Sequence, residues 1–234
     1  MKYLLIAFFG LLLGVAAGAV SIYYNPLTDT SGPALRDAQH TFAYATPGGD
    51  SLLLTHGGRS SLPRHPSDAP ELWESTISEL TLEVVRLNDA AGQQTAFATR
   101  TSLPSEQTEW LTKGAIMSDY WLVTVPGEGS FFVHSESNLA PLLKQVIVPV
   151  RYLGQPWSGP VDFAPTVGPA LDQRAQVSGA TGRFAALQGR AVESLRLEKF
   201  SAARGTEALQ RRLHVEFYAP SEEAVAEAEL EAER

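Results

Sequence analysis

Cysteine is absent from the 234-residue sequence, which excludes a disulfide framework, a thiolate metal site and a cysteine nucleophile. Charged residues are scarce, at 19% of the chain against about 25% in typical soluble proteins. Basic residues number 18 against 26 acidic ones, so the formal net charge is −8. This acidic excess argues against binding to nucleic-acid backbones, which requires a clustered basic face. We therefore expect no nucleic-acid partner.

The motifs of common enzyme classes are also missing. The five histidines never occur at the spacing of a helical zinc motif, so no metal site is predicted. The sequence contains no G-x-S-x-G elbow, no P-loop and no G-x-G-x-x-G turn. No catalytic residue and no cofactor is predicted, and the sequence leaves open whether the protein is an enzyme.

The strongest feature that is present is an uncharged, mostly apolar run from Tyr3 to Tyr24. As a helix these residues would measure about 33 Å, enough to cross a hydrocarbon core of about 30 Å. We predict a transmembrane anchor over residues 1–24, with residues 3–24 in contact with the membrane. Gly10, Gly14 and Gly18 recur every four residues, and such spacing predicts a face on which two anchor helices associate.

The same segment also has the parts of a secretory signal. Lys2 precedes the apolar stretch, and Ala17, Gly18 and Ala19 offer small residues for cleavage. Retention is favoured because the apolar run continues beyond these residues to Tyr24. A retained anchor makes a single-pass protein of the plasma (inner) membrane, with its C-terminal domain on the extracytoplasmic or periplasmic side. Cleavage would instead yield a secreted protein.

Beyond the anchor, the dominant apolar period is two, which predicts a β domain over residues 36–219. Residues 25–35 are polar and turn-rich and are predicted to be a linker, and residues 220–234 are predicted to be an acidic tail. Many short strands separated by turns are typical of an antiparallel barrel or sandwich. The predicted fold class is therefore mainly β, an antiparallel β-barrel or sandwich that follows one transmembrane helix.

Local patterns predict individual elements of this domain. Turn residues between apolar runs predict two hairpins, one over residues 40–56 and one over residues 120–135. Residues 146–152 alternate cleanly, and because Pro149 lacks a backbone donor they are predicted to form an edge strand or a strand with a bulge. The apolar parity shifts from Val84 to Val85, which predicts a β-bulge there.

Carboxylates in the predicted strands mostly alternate with apolar residues. Glu83 and Glu193 are examples of this pattern. Because alternate residues of a strand face opposite sides, we expect most of these carboxylates to face water.

Glycine recurs within residues 176–200 (QVSGATGRFAALQGRAVESLRLEKF), at Gly179, Gly182 and Gly189. Glycine there permits a positive φ in a turn and a close crossing of strands. This pattern resembles the glycine-punctuated hairpin of the allene oxide cyclase and dirigent-like β-barrels. The resemblance implies a calycin-like barrel around a small apolar ligand, with cyclisation or coupling chemistry in some members. No catalytic residue of that family can be matched to a position here.

Aromatic residues in neighbouring predicted strands are the candidate ligand-binding set. They are Tyr120, Trp121, Phe131, Phe132 and Tyr152. The main hypothesis is a membrane-tethered extracytoplasmic β-barrel that binds a small apolar or amphipathic ligand. Two alternatives remain open: a structural or interaction domain of an envelope complex, and a cyclase- or hydrolase-type enzyme in the same barrel.

Overall fold

The computed structural model of the chain describes residues 2–29, 39–45, 52–55, 80–157, 159–202 and 205–218. The predicted acidic tail (220–234) and the predicted linker from residue 30 onward lie outside these ranges. The first element is a helix, α1 (Lys2–Tyr23), and its stretch Leu5–Tyr23 is long and apolar enough to cross a membrane. None of this stretch is buried against the barrel. A membrane anchor and a signal sequence both meet this description.

The strands that follow α1 form one antiparallel sheet. They are β1 (His40–Ala45), β2 (Leu52–Thr55), β3 (Thr81–Asn88), β4 (Gln94–Pro104), β5 (Ile116–Val125), β6 (Gly129–Asn138), β7 (Val161–Phe163), β8 (Thr166–Gly168), β9 (Ala175–Gly182), β10 (Gln188–Ser201) and β11 (Gly205–Tyr218). Nine of them follow the order β1-β11-β10-β9-β6-β5-β4-β3-β2, while β7 pairs with β10 and β8 pairs with β6 off this path. Ala43 of β1 also pairs with Asn88 of β3, and this pairing closes the sheet into a barrel-like ring. The prediction of a mainly antiparallel, barrel-like β fold is confirmed.

Four phenylalanines pack together within the apolar core of the ring. The Phe131 ring centroid lies 5.2 Å from that of Phe184, 5.1 Å from that of Phe217 and 6.3 Å from that of Phe42. All four side chains are buried. Edge-to-face and tilted contacts at these separations add to the free energy gained from burying the rings.

Phe184 reaches this core from the turn between β9 and β10. Gly182 has a φ of +63°, as the sequence predicts for a glycine turn. A Cβ at Gly179 would lie 1.4 Å from the carbonyl oxygen of Phe184, so only glycine lets the turn fold back onto β9. The positive φ expected at Gly182 is confirmed, whereas residues 179–182 belong to β9 and the turn itself follows Gly182.

Residues 140–152 are helical, so the edge strand predicted over 146–152 is wrong. An α-helical turn, α2 (Ala140–Leu142), continues as a π-helix over Leu143–Tyr152. The apolar residues of this stretch fit both a period of two and a spacing of four. Packing against β10 decides between them, because a helix can cover the buried side chains of that strand with one face. Val146 of the helix forms one buried apolar cluster with Leu197 and Phe200 of β10, and Leu142, Ile147 and Val150 pack against that cluster.

The two predicted hairpins have different outcomes. β5 and β6 form the hairpin predicted over residues 120–135. In the described strands, β1 pairs with β11 and β3, and β2 pairs with β3, so the hairpin predicted over 40–56 is wrong. β1 and β2 follow each other in sequence, but each of them pairs with β3.

The β-bulge predicted at Val84 and Val85 is also wrong. The pairing of β3 with β4 runs without a shift from Thr81 to Leu87. An unbroken strand keeps alternate residues on one face, so Glu83 shares the interior with Val85 and Leu87. The Glu83 carboxylate expected in water is therefore buried.

Candidate functional site

The aromatic residues predicted to bind a ligand divide between the two sides of the barrel wall. The side chains of Trp121 and Phe131 point inward and are buried, whereas those of Tyr120 and Phe132 point outward and are exposed. Tyr152 is exposed at the end of the π-helix, outside the strands. The structure thus brings Tyr120 and Phe132 together on the outer wall, and Trp121 and Phe131 in the core.

The outward pair borders a groove that crosses β9, which we call the β9 groove. Two rows of cross-strand neighbours form it: Tyr120, His134, Gln176 and Arg190 in one, and Phe132, Ser178, Gln188 and Tyr218 in the other. In these two rows β9 contributes the side chains of Gln176 and Ser178. They lie between aromatic rings on β5 and β6 and the larger side chains of Arg190 and Tyr218 on β10 and β11. This difference in size leaves a half-open groove of about 590 Å³. Ligand pockets in proteins typically measure about 300–1,000 Å³.

One wall of the β9 groove is a flat aromatic surface. The rings of Tyr120 and His134 stack with centroids 4.5 Å apart and an interplanar angle of 11°. Phe132 lies beside them on β6, diagonal to Tyr120 across the strand pair. Exposed rings in this arrangement suit contact with a planar apolar group.

The opposite wall carries a positive charge in a fixed orientation. Arg190 Nη1 donates hydrogen bonds to the Tyr218 hydroxyl at 2.7 Å and to the Gly189 carbonyl at 3.2 Å. Arg190 Nε lies 3.5 Å from Asp172 Oδ2. These contacts hold the guanidinium at the edge of the groove, where it can bind a carboxylate or another oxygen acceptor.

A layer of charged and polar side chains lies inside the ring, next to the aromatic core. Asp119 is fully buried and accepts hydrogen bonds from Arg100 Nε at 3.1 Å, Ser137 Oγ at 2.8 Å and Ser102 Oγ. Arg100 Nη2 lies 3.0 Å from the same carboxylate. The Arg100 guanidinium also stacks on the Trp121 ring, 4.8 Å from its centroid.

Glu193 joins a second arginine to this layer. Its carboxylate oxygens lie 3.7 Å from Arg100 Nη2 and 3.8 Å from Arg211 Nη1. The Tyr44 hydroxyl donates a hydrogen bond to Glu193 Oε1. Two arginines, two carboxylates and a phenol therefore form one connected network inside the barrel.

The electrostatics of this network indicate a structural role. Burial raises the pKa of Tyr44 well above its ordinary value, and the Glu193 carboxylate raises it further. Burial alone would lower the pKa of Arg100, but Asp119 and Glu193 outweigh this effect and raise it. At neutral pH Tyr44 is therefore a protonated donor and Arg100 a cation, and neither can act as a general base.

This interior layer was not predicted, although the sequence contains one signal for it. Asp119 has the same strand parity as Trp121 and Val123, and Glu193 has the same parity as Leu195 and Leu197. A carboxylate in step with buried apolar residues must share their face of the strand. Within the part of the chain that the structure describes, no group of three or more His, Asp or Glu side chains could hold a metal ion.

No protein-family model matches the sequence, and no curated protein matches it. Among solved structures, the chain is similar to a nonspecific heme-binding cyclase that catalyses a [4 + 2] cycloaddition during neoabyssomicin biosynthesis. That match has 14% identity and a TM-score of 0.39 and covers 83% of this chain and 73% of the other. A second match is the Diels–Alderase AbmU from Streptomyces koyangensis, with 15% identity, a TM-score of 0.33 and coverage of 81% and 67%.

These similarities are too low to support an argument about function. Both neighbours are named as cyclisation enzymes, and neither is named as an allene oxide cyclase or a dirigent protein. The resemblance of residues 176–200 to those two kinds of barrel therefore stays a prediction.

Proposed function

We propose that this protein is a membrane-tethered β-barrel domain that binds a small amphipathic ligand in the β9 groove. The observation that carries the proposal is the groove itself, which combines an exposed aromatic wall with an oriented arginine. α1 supplies the tether, because it is long and apolar enough to span a bilayer. The retained anchor holds the barrel at the extracytoplasmic surface of the plasma (inner) membrane.

The two walls define the chemistry of the ligand. A planar apolar part packs on Phe132 and on the stacked rings of Tyr120 and His134, and a carboxylate or carbonyl oxygen faces Arg190. Burial of about 300 Å² of apolar surface contributes about 7 kcal/mol before association costs. After those costs, an affinity in the micromolar range or weaker is expected.

The interior of the ring is less suited to this ligand. Its charged groups already bind one another, and its aromatic groups already pack together. A ligand inside the ring would have to displace these contacts. A ligand in the β9 groove would instead cover side chains that are already exposed to solvent.

The test uses the full chain in lipid nanodiscs with 8-anilinonaphthalene-1-sulfonate, a fluorescent probe that is both aromatic and anionic. After subtraction of empty nanodiscs, the probe should show saturable binding. Phe132→Ala and Arg190→Gln should each weaken binding about tenfold, which corresponds to about 1.4 kcal/mol.

Two variants on the same barrel serve as matched controls. Phe97 is 44% exposed, close to the 50% of Phe132, but it does not line the groove. Arg196 lies on β10, as Arg190 does, and pairs at the surface with Asp162 at 3.4 Å. Phe97→Ala and Arg196→Gln should leave binding unchanged. Equal losses in the groove and control variants, or binding that does not saturate, would contradict the proposal.

A further inference from the structure

The segment that follows α1 is bonded directly to the barrel. Lys144 Nζ, at the start of the π-helix, donates to the Asn25 carbonyl at 2.8 Å and lies 3.0 Å from Asp29 Oδ1. Asn138 Nδ2 donates to the Thr28 carbonyl at 3.0 Å, and the Tyr23 hydroxyl donates to the Lys144 carbonyl at 3.0 Å. The end of α1 therefore has a defined position relative to the barrel.

The same segment also contacts the loop between β4 and β5, residues 105–115, which we call the β4–β5 loop. The Asn25 side-chain amide donates a hydrogen bond to the carbonyl oxygen of Leu111. Leu111 and its neighbour Trp110 are 59% and 53% exposed. The loop thus presents two large apolar side chains to solvent, beside the end of the apolar helix.

The tip of this loop is held in a compact turn. The amides of Lys113 and Gly114 both donate to the Glu109 carbonyl at 2.8 Å, and Lys113 Nζ lies 3.2 Å from Glu109 Oε1. Trp110 and Leu111 lie in the stretch of chain between the residues that these bonds join. Their exposure is therefore a property of a defined turn.

The length of α1 sets the depth of this loop. The apolar stretch Leu5–Tyr23 comprises 19 residues. As a helix it measures about 28 Å, which matches a hydrocarbon core of about 30 Å and places Tyr23 at the interface. Leu111 is bonded to Asn25, two residues further on, and so lies at nearly the same depth. Tryptophan is enriched at this depth because its ring is apolar and its N–H can bind water or headgroups.

We infer that Trp110 and Leu111 insert into the interfacial region of the same bilayer that α1 crosses, so that the barrel rests on the membrane surface in a fixed orientation. A second protein is a poorer occupant, because a stable protein interface needs about 1,000 Å² or more. Two side chains cannot supply that area. A bilayer contact needs no such area, since α1 already holds the loop at the membrane.

This inference rests on the tether in the proposed function but not on the ligand. The chain has no cysteine, so a single introduced cysteine can be labelled without a background. Leu111→Cys replaces an exposed side chain, and the bond from Asn25 is made to the backbone, so the fold is kept. The label is a nitrobenzoxadiazole dye on the full chain. The vesicles are made of phosphatidylcholine and phosphatidylglycerol, with or without a phosphatidylcholine that carries a nitroxide near its glycerol backbone.

The matched control is Ala91→Cys, in the exposed turn between β3 and β4. β4 has 11 residues between that turn and the β4–β5 loop. The control site therefore lies about 35 Å along the strand from the loop. The label at residue 111 should lose most of its fluorescence to the nitroxide, and the label at residue 91 should keep it.

Flotation of the same vesicles distinguishes a failure of the membrane tether from a failure of the insertion of the β4–β5 loop. If the protein floats with the vesicles but neither label is quenched, the inference fails and the tether stands. Equal quenching of both labels also overturns it, because the contact would then not belong to the β4–β5 loop. If the protein does not float, the tether fails and the inference fails with it.

Discussion

Asp119→Asn offers the most direct test of the polar layer inside the barrel. The Asp119 side chain is 0% exposed and is bonded to Arg100 and to the hydroxyls of Ser102 and Ser137. Asparagine keeps the shape of the side chain but removes its charge. Arg100 would then be a buried cation whose next carboxylate, that of Glu193, is 3.7 Å away. The NH2 group of the asparagine would also replace one of the two carboxylate oxygens. The donor bonded to that oxygen would then lose its acceptor.

The expected cost follows from the kind of contact that is broken. Removal of one partner from a buried ion pair costs about 3–5 kcal/mol, because the remaining charge is left without water. A buried donor without an acceptor accounts for about 1–3 kcal/mol of such a loss. Since whole domains are stable by only about 5–15 kcal/mol, Asp119→Asn should lower the unfolding midpoint strongly.

The assay is guanidinium-induced unfolding of the full chain in detergent, followed by tryptophan emission. Asp162→Asn is the matched control, because Asp162 is an exposed carboxylate that pairs with Arg196 at 3.4 Å. An exposed pair contributes at most about 1 kcal/mol. The double variant Arg100→Met with Asp119→Leu should regain much of the loss, because it leaves no buried charge from this pair. A loss below about 1 kcal/mol for Asp119→Asn would refute the buried ion pair.

Three further predictions concern the turn, a histidine and the anchor. A Cβ at Gly182 would lie 2.1 Å from the Glu128 carbonyl oxygen, whereas Gly127 also has a positive φ but no atom within 4 Å of its Cβ position. Thermal unfolding should therefore show a cost of about 1 kcal/mol for Gly127→Ala and about 3 kcal/mol for Gly182→Ala; equal costs would contradict the turn geometry. Burial, together with the nearby charge of Arg212, lowers the pKa of His214 in the folded protein. As the pH drops below about 6.5, His214 is therefore protonated more readily in the unfolded chain than in the folded one, and the free energy of unfolding should fall. His214→Gln should flatten that fall in a pH series of melting temperatures, and an unchanged pH dependence would count against it. The mature protein should begin at or near Met1 and resist alkaline carbonate extraction, and a mature N-terminus at Val20 would show cleavage instead.

Features that depend on neighbouring residues in sequence could be predicted from the chain alone. The helix α1 and its apolar character could be predicted locally, because an uninterrupted, uncharged stretch of 19 residues has the length that crosses a bilayer. The hairpin of β5 and β6 and the positive φ of Gly182 follow from local turn chemistry. Each of these features is stabilised within a few residues, so the local pattern is sufficient to predict it.

Features that depend on which face meets the core could not be predicted in this way. Leu82 and Val84 suggested one face of β3, but closure of the ring buries the other face, with Glu83 on it. The stretch from Leu143 to Tyr152 fits a strand or a helix equally well in sequence, and contacts with β10 select the helix. A period in the sequence shows that two faces differ, and only the partner packed against them shows which face is buried.

The candidate site shows the same division most clearly. Aromatic residues on β5 and β6 are visible in the sequence, but the pleat sends Trp121 into the core and Tyr120 onto the outer wall. The β9 groove then depends on Arg190, which lies 70 residues beyond Tyr120 and meets it only across the sheet through Gln176 and His134. Composition and periodicity predict an N-terminal helix long and apolar enough to span a membrane, followed by a barrel-like β domain. Strand register over that distance decides where a ligand can bind, because the register is set by the closure of the whole ring and by no local segment of it.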